Sequence, residues 1–328
     1  MIRILEPAAG DQYRMQPTTF VYSSHNCCEY IHRNYLVQPA LESWHDKRIV
    51  YLPMSEWVMN GDAMESQRFG WGKFAWYLGQ FRKWGLRPQP FYWSPDLSHH
   101  DMGVLMELLA NAPVVILGAG NTFLGMKRYR QLGAKFFGDP HVFCRMLHDR
   151  QRNGKLTVGF SAGADQLCSV FGTAPDAEGA DCEGFGLARD VSVLLHHEWG
   201  RRDELRRGAA EVRHTAWFGL PNDSGLAINT GTLRNGLSWQ LIRFVLDQSW
   251  SVPEEQFHIK TRQGMKIEHY YADGRRWEFG GGDSMLRVYS NDGGFRRSWI
   301  FSGGYTLEYY TQSPSQFSSM DQILAAHS

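Results

Sequence analysis

Several features that would narrow the function of a protein are missing from this chain of 328 residues. No run of 18 apolar residues occurs, so no segment is typical of a transmembrane helix. Lysine plus arginine and aspartate plus glutamate each total 34, and this balance lacks the basic excess with which proteins bind a nucleic-acid backbone. We therefore expect neither a membrane nor a nucleic acid as a partner.

Cysteine pairs and a secretion signal are missing as well. None of the five cysteines forms a C-x-x-C pair, and neighbouring cysteines in a sequence rarely bridge each other. The first 15 residues lack the apolar core of a signal peptide. These absences predict free thiols and a cytoplasmic protein. The cysteines are Cys27, Cys28, Cys144, Cys168 and Cys182.

Metal-ligand and dinucleotide-binding patterns are also absent. The histidines occur in short pairs that lack the four-ligand spacing of a zinc site. The glycine turn that begins at Gly118 has the spacing G-x-G-x-x-x-x-G and not the G-x-G-x-x-G of a dinucleotide loop. We therefore predict no metal and no cofactor. The pairs considered are His99 or His100 with Asp101, His25 with Cys27, and His196 with His197.

The chain does contain a repeated alternation of short apolar runs and segments with helical spacing. Apolar residues make up 43% of it, which is enough for a sizeable core. The alternation predicts an α/β fold with three layers, α/β/α, around a mostly parallel, flavodoxin-like sheet. In such sheets the ligand site lies at the carboxyl ends of the strands. The sequences SSH, PMS, GAGNT and GFSAG end four of the predicted strands and would gather there.

Turn signals dominate the chain from about residue 253 onward. They separate short β-rich runs such as MKIEHYY and YTLEYYT, which predicts β-hairpins. We predict an α/β domain over residues 1–248 and a β-rich C-terminal extension over residues 249–328. The turn signals are residues 272–274, 280–282, 291–294 and 303–304.

The segment Gly159-Phe160-Ser161-Ala162-Gly163 has the G-x-S-x-G pattern of a nucleophile elbow. In an elbow, a strained turn between a strand and a helix projects the serine hydroxyl above the sheet, and the small flanking residues allow close packing. The amide of Ala162 would face a developing oxyanion. A serine that only caps a helix would give the same pattern, so the motif alone leaves both interpretations open.

A second glycine turn, Gly118-Ala119-Gly120-Asn121, ends an apolar run about 40 residues before the elbow. Consecutive backbone amides in such a turn can bind an anion. We therefore predict that Ala119 or Gly120 supplies the second oxyanion donor.

Together the two motifs resemble those of the aspartyl dipeptidase (peptidase E) and cyanophycinase family of serine peptidases. VVILGAGNTF and VGFSAGA are similar to the family's GGGNT turn and G-x-SAGA elbow, and the order of elements is similar over residues 18–245. The resemblance implies a parallel sheet between helices, akin to class I glutamine amidotransferases. It also implies peptide hydrolysis by a serine, a histidine and an acid.

Carried over position by position, the resemblance implies that Ser161 is the nucleophile and His196 the base, with His197 as the alternative one residue along. The acid of the family is usually glutamate. A gapless match places Asn222 there, whereas side-chain chemistry favours Asp223, and we adopt Asp223. The chain order of serine, histidine and acid differs from the serine, acid and histidine of α/β-hydrolases.

The resemblance also implies a small peptide or aspartyl-containing substrate, because family members cut Asp-X dipeptides or the β-Asp-Arg links of cyanophycin. A substrate carboxylate favours a bidentate arginine, and Arg201, Arg202 and Arg206 follow the histidine. Asn121 is a further candidate contact. The same arginines fit an exposed helix face with ion pairs equally well.

Two further questions stay open in the sequence. The C-terminal extension could shape the substrate cleft or form a homodimer contact. A relative that keeps the fold for binding or assembly, without catalysis, is the alternative to a serine peptidase.

Overall fold

Five short strands form the parallel half of the main sheet. The computed structural model describes residues 16–24, 28–57, 63–172, 181–249, 265–290 and 296–328. The strands are β1 (Thr19–Tyr22), β2 (Arg48–Leu52), β3 (Arg87–Pro90), β4 (Val114–Leu117) and β5 (Leu156–Phe160). They lie in the order β1-β5-β4-β2-β3. Four of them, β1, β2, β4 and β5, are mainly apolar and mainly buried, as strands covered on both faces are, whereas the edge strand β3 is polar and partly exposed.

Helices cover both faces of this half. Val115 and Leu117 of β4 belong to one hydrophobic cluster, and Val114 and Ile116 belong to another, because successive strand residues point to opposite faces. The first cluster includes residues of α4 to α7 and the second includes residues of α1 to α3. These helices are α1 (Glu29–Ile31), α2 (Gln38–Leu41), α3 (Ala63–Gly79), α4 (His99–Asn111), α5 (Thr122–Phe137), α6 (Val142–Arg152) and α7 (Ala162–Leu167).

Two of these helices begin in ways that their sequences explain. Pro39 lies in the first turn of α2, directly after a π-helix over His32–Val37. Proline is tolerated in a first turn because its missing N–H has no helical partner there. Helix α5 follows the glycine turn directly, with Asn121 as its N-cap.

The other half of the main sheet is antiparallel. Strand β8 (Ser224–Thr232) pairs antiparallel with β1 and is followed outward by β9 (Ser238–Leu246), β12 (Ser284–Tyr289), β13 (Arg296–Ser302) and β14 (Tyr305–Glu308). The sheet is therefore mixed, with a parallel core and added antiparallel strands. The α/β class is as predicted, but the predicted parallel pairing is found only in the half of the sheet that carries Ser161.

A second sheet of four strands carries the histidine segment. Its order is β11-β10-β7-β6, with β6 (Val191–Leu195) parallel to β7 (Ala216–Leu220). Strands β10 (Ile267–Tyr270) and β11 (Arg276–Phe279) add to β7 in antiparallel fashion. Helix α8 (Arg202–Glu211) follows β6 after a 3₁₀ turn over Trp199–Arg201.

The C-terminal residues complete both sheets. The β-rich character expected after residue 248 is seen in β10 to β14, and a final helix, α9 (Met320–Ala326), packs through Ile323. The turn signals at 272–274, 280–282 and 303–304 lie between successive strands, whereas the one at 291–294 lies outside the described residues. Because β10 pairs with β7 and β12 pairs with β9, strands from both sides of the predicted boundary share each sheet. Among the described residues no helix has the length and apolarity to cross a membrane.

Candidate active site

Ser161 lies on a sharp turn at the carboxyl end of β5. Its backbone has φ 49° and ψ −122°, a combination that residues other than glycine rarely adopt. Its amide donates to the carbonyl of Tyr22 at 3.1 Å, and its carbonyl accepts the amide of Ala164 at 2.9 Å. Strained backbone of this kind persists where the surroundings fix it, and it is concentrated at active sites. The serine thus has the geometry of a nucleophile elbow and not of an ordinary N-cap.

The two glycines of the elbow are required by close backbone packing. A Cβ built on Gly159 would lie 2.3 Å from the carbonyl oxygen of Gly163. A Cβ built on Gly163 would lie 2.1 Å from the carbonyl oxygen of Leu117, at the end of β4. Only glycine therefore allows α7 to approach the two strands so closely.

The glycine turn after β4 is fixed at both ends beside the elbow. The amide of Gly118 donates to the carbonyl of Leu52 at 3.0 Å, and the amide of Asn121 donates to the carbonyl of Ser55 at 2.8 Å. Gly120 has φ 126°, and a Cβ there would lie 2.0 Å from the Ser55 oxygen. Ala119 and Gly120, the predicted oxyanion donors, lie between these two anchored positions in the chain.

His196 lies at the carboxyl end of β6, next to Ser161. The Ser161 Oγ lies 3.4 Å from the His196 Nε2, which allows the hydroxyl to donate to the ring. Bonds between nucleophile and base are often this long before substrate binds and shorten in the complex. His196 is the second residue of the site with a left-handed backbone, at φ 52°. His197, the alternative, has a fully buried side chain whose Nε2 contacts Glu268.

The third residue against the histidine is Asn222, where the sequence analysis adopted Asp223. The His196 Nδ1–H donates to the Asn222 Oδ1 at 2.6 Å. Asp223 has a left-handed backbone at φ 65°, and its Oδ1 accepts from the Cys28 Sγ at 3.2 Å. The two neighbours therefore meet different groups: Asn222 contacts the ring of His196, and Asp223 contacts the thiol of Cys28.

Ser23 contacts both members of that pair and was not singled out as a site residue. Its Oγ accepts the backbone amide of His196 at 2.7 Å. The same Oγ lies 3.5 Å from the Asn222 Oδ1, to which its hydroxyl can donate. The signal in the sequence is the small polar SSH that ends the first strand.

A second group of buried side chains ties the elbow helix to the glycine turn. Gln166 Nε2 donates to the Ser55 Oγ at 2.8 Å and to the Thr122 carbonyl at 2.9 Å. Asp165 accepts from the Thr122 Oγ1 at 3.1 Å and from the Gly172 amide at 2.6 Å. Burial raises the pKa of Asp165 to about 7 despite these two hydrogen bonds. In the sequence, the polar pair Asp165-Gln166 after the elbow is the signal for this group of side chains.

The candidate substrate contacts are already engaged within the protein. Asn121 caps α5, because its Oδ1 accepts the amide of Leu124 at 2.7 Å. Arg201 donates to Glu204 at 2.6 Å and to the carbonyl of Leu195, also at 2.6 Å. The remaining two arginines pair with acidic residues as well: Arg202 with Glu268, and Arg206 with Asp203 at 3.2 Å.

The described residues contain no group of three or more His, Cys, Asp or Glu side chains placed to hold a metal ion. His99 packs edge-on against the ring of Phe136, with ring centroids 5.0 Å apart. The pair of His25 with Cys27 lies outside the described residues.

In sequence, the chain is similar to peptidase E of several bacteria over part of its length. Peptidase E of Salmonella arizonae is 30% identical over 143 residues, which are 40% of this chain and 58% of that protein. Peptidase E of Salmonella gallinarum is 31% identical over 144 residues, 40% of this chain and 57% of that protein. Peptidase E of Escherichia coli O1:K1 is 25% identical over 134 residues, 38% of this chain and 55% of that protein. The chain thus spans little more than half the length of these relatives, and no protein-family model matches it.

Among solved structures, the crystal structure of a peptidase from an acI-B1 actinobacterium superposes with a TM-score of 0.50. The two chains are 14% identical, and the superposition covers 80% of this chain and 94% of that one. At this identity the likeness concerns the fold. It confirms the predicted α/β class, with a parallel core sheet and extra antiparallel strands.

Proposed function

We propose that this chain, a distant homologue of peptidase E, is a serine peptidase that works through an acyl-enzyme. The observation that carries the proposal is one line of contacts: Ser161 Oγ to His196 Nε2 at 3.4 Å, and His196 Nδ1 to Asn222 Oδ1 at 2.6 Å. The nucleophile and its base are within reach, and a third residue orients the base, which is the arrangement that serine hydrolases of several folds share.

Each half of the proposed reaction has two proton transfers. In acylation, His196 Nε2 takes the Ser161 proton while the serine oxygen bonds to the scissile carbonyl carbon. The amides of Ala162 and of Ala119 or Gly120 donate to the oxyanion that forms. His196 then gives its proton to the leaving nitrogen, the C–N bond breaks, and the acyl-enzyme remains. In deacylation, His196 Nε2 takes a proton from a water molecule whose oxygen bonds to the acyl carbon. His196 returns that proton to the Ser161 oxygen as the ester bond breaks, which releases the acid and regenerates Ser161.

An asparagine in the third position supports the correct tautomer but adds no charge. In serine proteases whose aspartate is replaced by asparagine, the rate falls by about 10⁴-fold because the ring takes the wrong tautomer. Here the amide oxygen of Asn222 accepts from Nδ1–H, which leaves Nε2 free to accept the serine proton. The third residue is an amide, which stabilises the imidazolium less than a carboxylate in that position would, so we propose a slow enzyme.

The finer part of the proposal is a preference for aspartyl substrates, which rests on the likeness to peptidase E. Arg201 and Arg202 are paired with acidic side chains, so a substrate carboxylate would have to compete for them. Hydrolysis of Asp-Ala, compared with Asn-Ala and Ala-Ala, tests the preference. We expect Asp-Ala to be cut fastest; equal rates for the three dipeptides contradict the aspartyl preference and leave the peptidase proposal standing.

A fluorophosphonate probe tests the catalytic proposal directly, because it modifies only serines that are activated as nucleophiles. We expect labelling at Ser161, mapped by mass spectrometry, and loss of labelling by a factor of about 10³ or more in Ser161→Ala. Heat-denatured protein is the control for non-specific modification. Folded protein that does not react favours the alternative of a non-catalytic relative, to which the uncharged Asn222 also points.

A further inference from the structure

The segment that carries His196 is attached to a buried carboxylate on a distant strand. His197 and Arg202, at the two ends of the loop after β6, both contact Glu268 of β10. Glu268 has a side chain that is 2% exposed and lies 71 residues from His197 along the chain. One acidic residue from the C-terminal part of the protein therefore contacts both ends of the loop.

At the first end of the loop, both the ring and the backbone of His197 are held in place. Its ring Nε2–H donates to the Glu268 Oε2 at 2.8 Å, and its backbone amide donates to the carbonyl of Leu220 at 2.9 Å. The ring packs on Gly219, where a Cβ would lie 2.6 Å from ring atoms. The ring Nδ1 has no hydrogen-bond partner among the described residues, so Glu268 is the polar group that fixes the ring.

The contact at the second end is an ion pair with two donors. Arg202 Nε lies 2.8 Å from Oε1 and 3.0 Å from Oε2 of Glu268, and its Nη2 also contacts Oε1. Arg276 Nη1 adds a third partner at 3.2 Å. Burial would raise the pKa of Glu268, but the hydrogen bonds from His197 and Arg202 outweigh it and hold the pKa at about 2. The carboxylate is thus charged at neutral pH.

Directly before the first of these ends, His196 depends on its neighbours for an unfavourable backbone conformation. A left-handed residue other than glycine or asparagine costs about 1–2 kcal/mol and needs outside support. Arg201 adds to the support by donating to the carbonyls of Leu195 at 2.6 Å and His196 at 3.4 Å. If the loop relaxes, Nε2 moves away from Ser161.

We propose that Glu268 is a positioning residue for the catalytic histidine: it holds both ends of the loop of residues 196–202, so that His196 keeps the conformation that directs Nε2 at Ser161. The inference rests on the proposed function, in which His196 is the base. It also assigns the C-terminal strand β10 a part in catalysis, because Glu268 is the side chain through which that strand reaches the site.

The test compares Glu268→Gln with Glu278→Gln, a matched control. Both variants remove one negative charge from the same ion-pair cluster, since Glu278 lies 3.9 Å from Arg202 and 3.3 Å from Arg276, but the Glu278 side chain is 38% exposed. The readout is the inactivation of the full chain by a fluorophosphonate over a range of concentrations. This separates the maximal rate of inactivation, kinact, from the half-saturating concentration, KI.

We expect Glu268→Gln to lower kinact by about 10- to 100-fold, as misplacement of a catalytic group does, with KI within about twofold of the wild type. Glu278→Gln should change both by less than about twofold, as exposed ion pairs contribute little. Glu268→Asp, which keeps the charge, should recover part of the loss. A folded Glu268→Gln protein with the wild-type kinact overturns the proposal.

If Glu268→Gln does not fold, Arg202→Gln carries the test. The Arg202 side chain is 35% exposed, and its loss leaves His197 and Arg276 on the carboxylate. We expect a fall in kinact of about 10-fold because one end of the loop is released. The wild-type kinact in this variant overturns the proposal.

Failure of the proposed function is distinguished by a measurement that needs no activity. The ¹⁵N spectrum of histidine-labelled protein, with His196 assigned by His196→Ala, reports the Nδ1–H tautomer that the bond to Asn222 holds. If the wild type does not react with the probe, the peptidase proposal fails. The positioning proposal then depends on whether Glu268→Gln mixes the tautomers of His196, and an unchanged spectrum overturns it.

Discussion

The two strand ends that meet at the site are built in different ways. Ser161 leaves β5 through backbone packed so closely that Gly159 and Gly163 have no room for a Cβ. His196 leaves β6 in a conformation held by polar side chains, among them Ser23 and, through His197, Glu268. One end is held by close packing of small residues, and the other by hydrogen bonds to the main sheet through Ser23 and within the second sheet through Glu268.

The difference shows which kind of structure a short motif can encode. The glycines that shape the nucleophile end lie within five residues of each other, so a local pattern contains them. The contacts of the histidine end join residues 173 positions apart for Ser23 and 71 positions apart for Glu268. We therefore expect the nucleophile end to respond to changes of volume and the histidine end to changes of hydrogen bonding.

The largest expected effect is at Asn222. Asn222→Ala removes the acceptor of Nδ1–H and should lower kinact for the fluorophosphonate by about 10²- to 10⁴-fold. Asn222→Asp keeps an acceptor and adds a charge that stabilises the imidazolium, so kinact should be equal to or above that of the wild type. Asp223→Asn is the neighbouring control and should cost less than Asn222→Ala. The reverse order would return the orienting role to Asp223.

An intermediate effect is expected from volume at the nucleophile end. Gly163→Ala places a methyl group against the Leu117 carbonyl and should lower the free energy of unfolding in urea by about 1–3 kcal/mol. Gly103→Ala is the matched control, because this glycine lies within α4 and a Cβ there meets nothing within 4 Å. That variant should raise the free energy of unfolding by about 0.5–1 kcal/mol. Equal effects of the two substitutions would contradict the close packing of the elbow.

The last expected effect is gradual, a pH dependence of stability at the nucleophile end. The pKa of Asp165 in the folded protein, about 7, lies above the ordinary value of an unfolded chain, so between the two values the folded state binds a proton that the unfolded state lacks. This group therefore makes the folded state more stable as the pH falls from about 7 towards 4, by at most about 1.4 kcal/mol per pH unit.

Asp165→Asn removes this contribution. The difference in the free energy of unfolding between wild type and variant, measured by urea titration at several pH values, should favour the wild type increasingly as the pH falls. Parallel pH curves for the two proteins would show that Asp165 does not hold its proton through this range.

Much of the nucleophile end is predictable from sequence, and the structure shows why. The apolar runs of β1, β2, β4 and β5 are buried on both faces, so their length and composition are enough to identify them. The elbow and the glycine turn are contiguous, and the elbow serine has the strained backbone that the motif predicts. The position of His196 follows from the resemblance and not from periodicity or spacing.

The remaining features depend on pairing that local sequence does not encode. Asn222 and Asp223 are neighbours of similar size, and which of them contacts the histidine depends on the backbone conformation, which a local sequence pattern does not give. Glu268 meets His197 only because β10 pairs with β7 in a register that sets Glu268 opposite Gly219. Turn signals predict hairpins, but they do not say which existing strand a new strand will join, so the antiparallel half of the main sheet was not foreseen.

The way the two sheets are finished has a consequence for any attempt to shorten the chain. Strand β9 is paired on both sides, with β8 and β12, and β7 is paired with β6 and β10. A protein cut after residue 248 would carry two open rows of amide and carbonyl groups, one on each sheet, and such rows recruit strands from other molecules. The C-terminal residues therefore protect the rest of the chain from self-association.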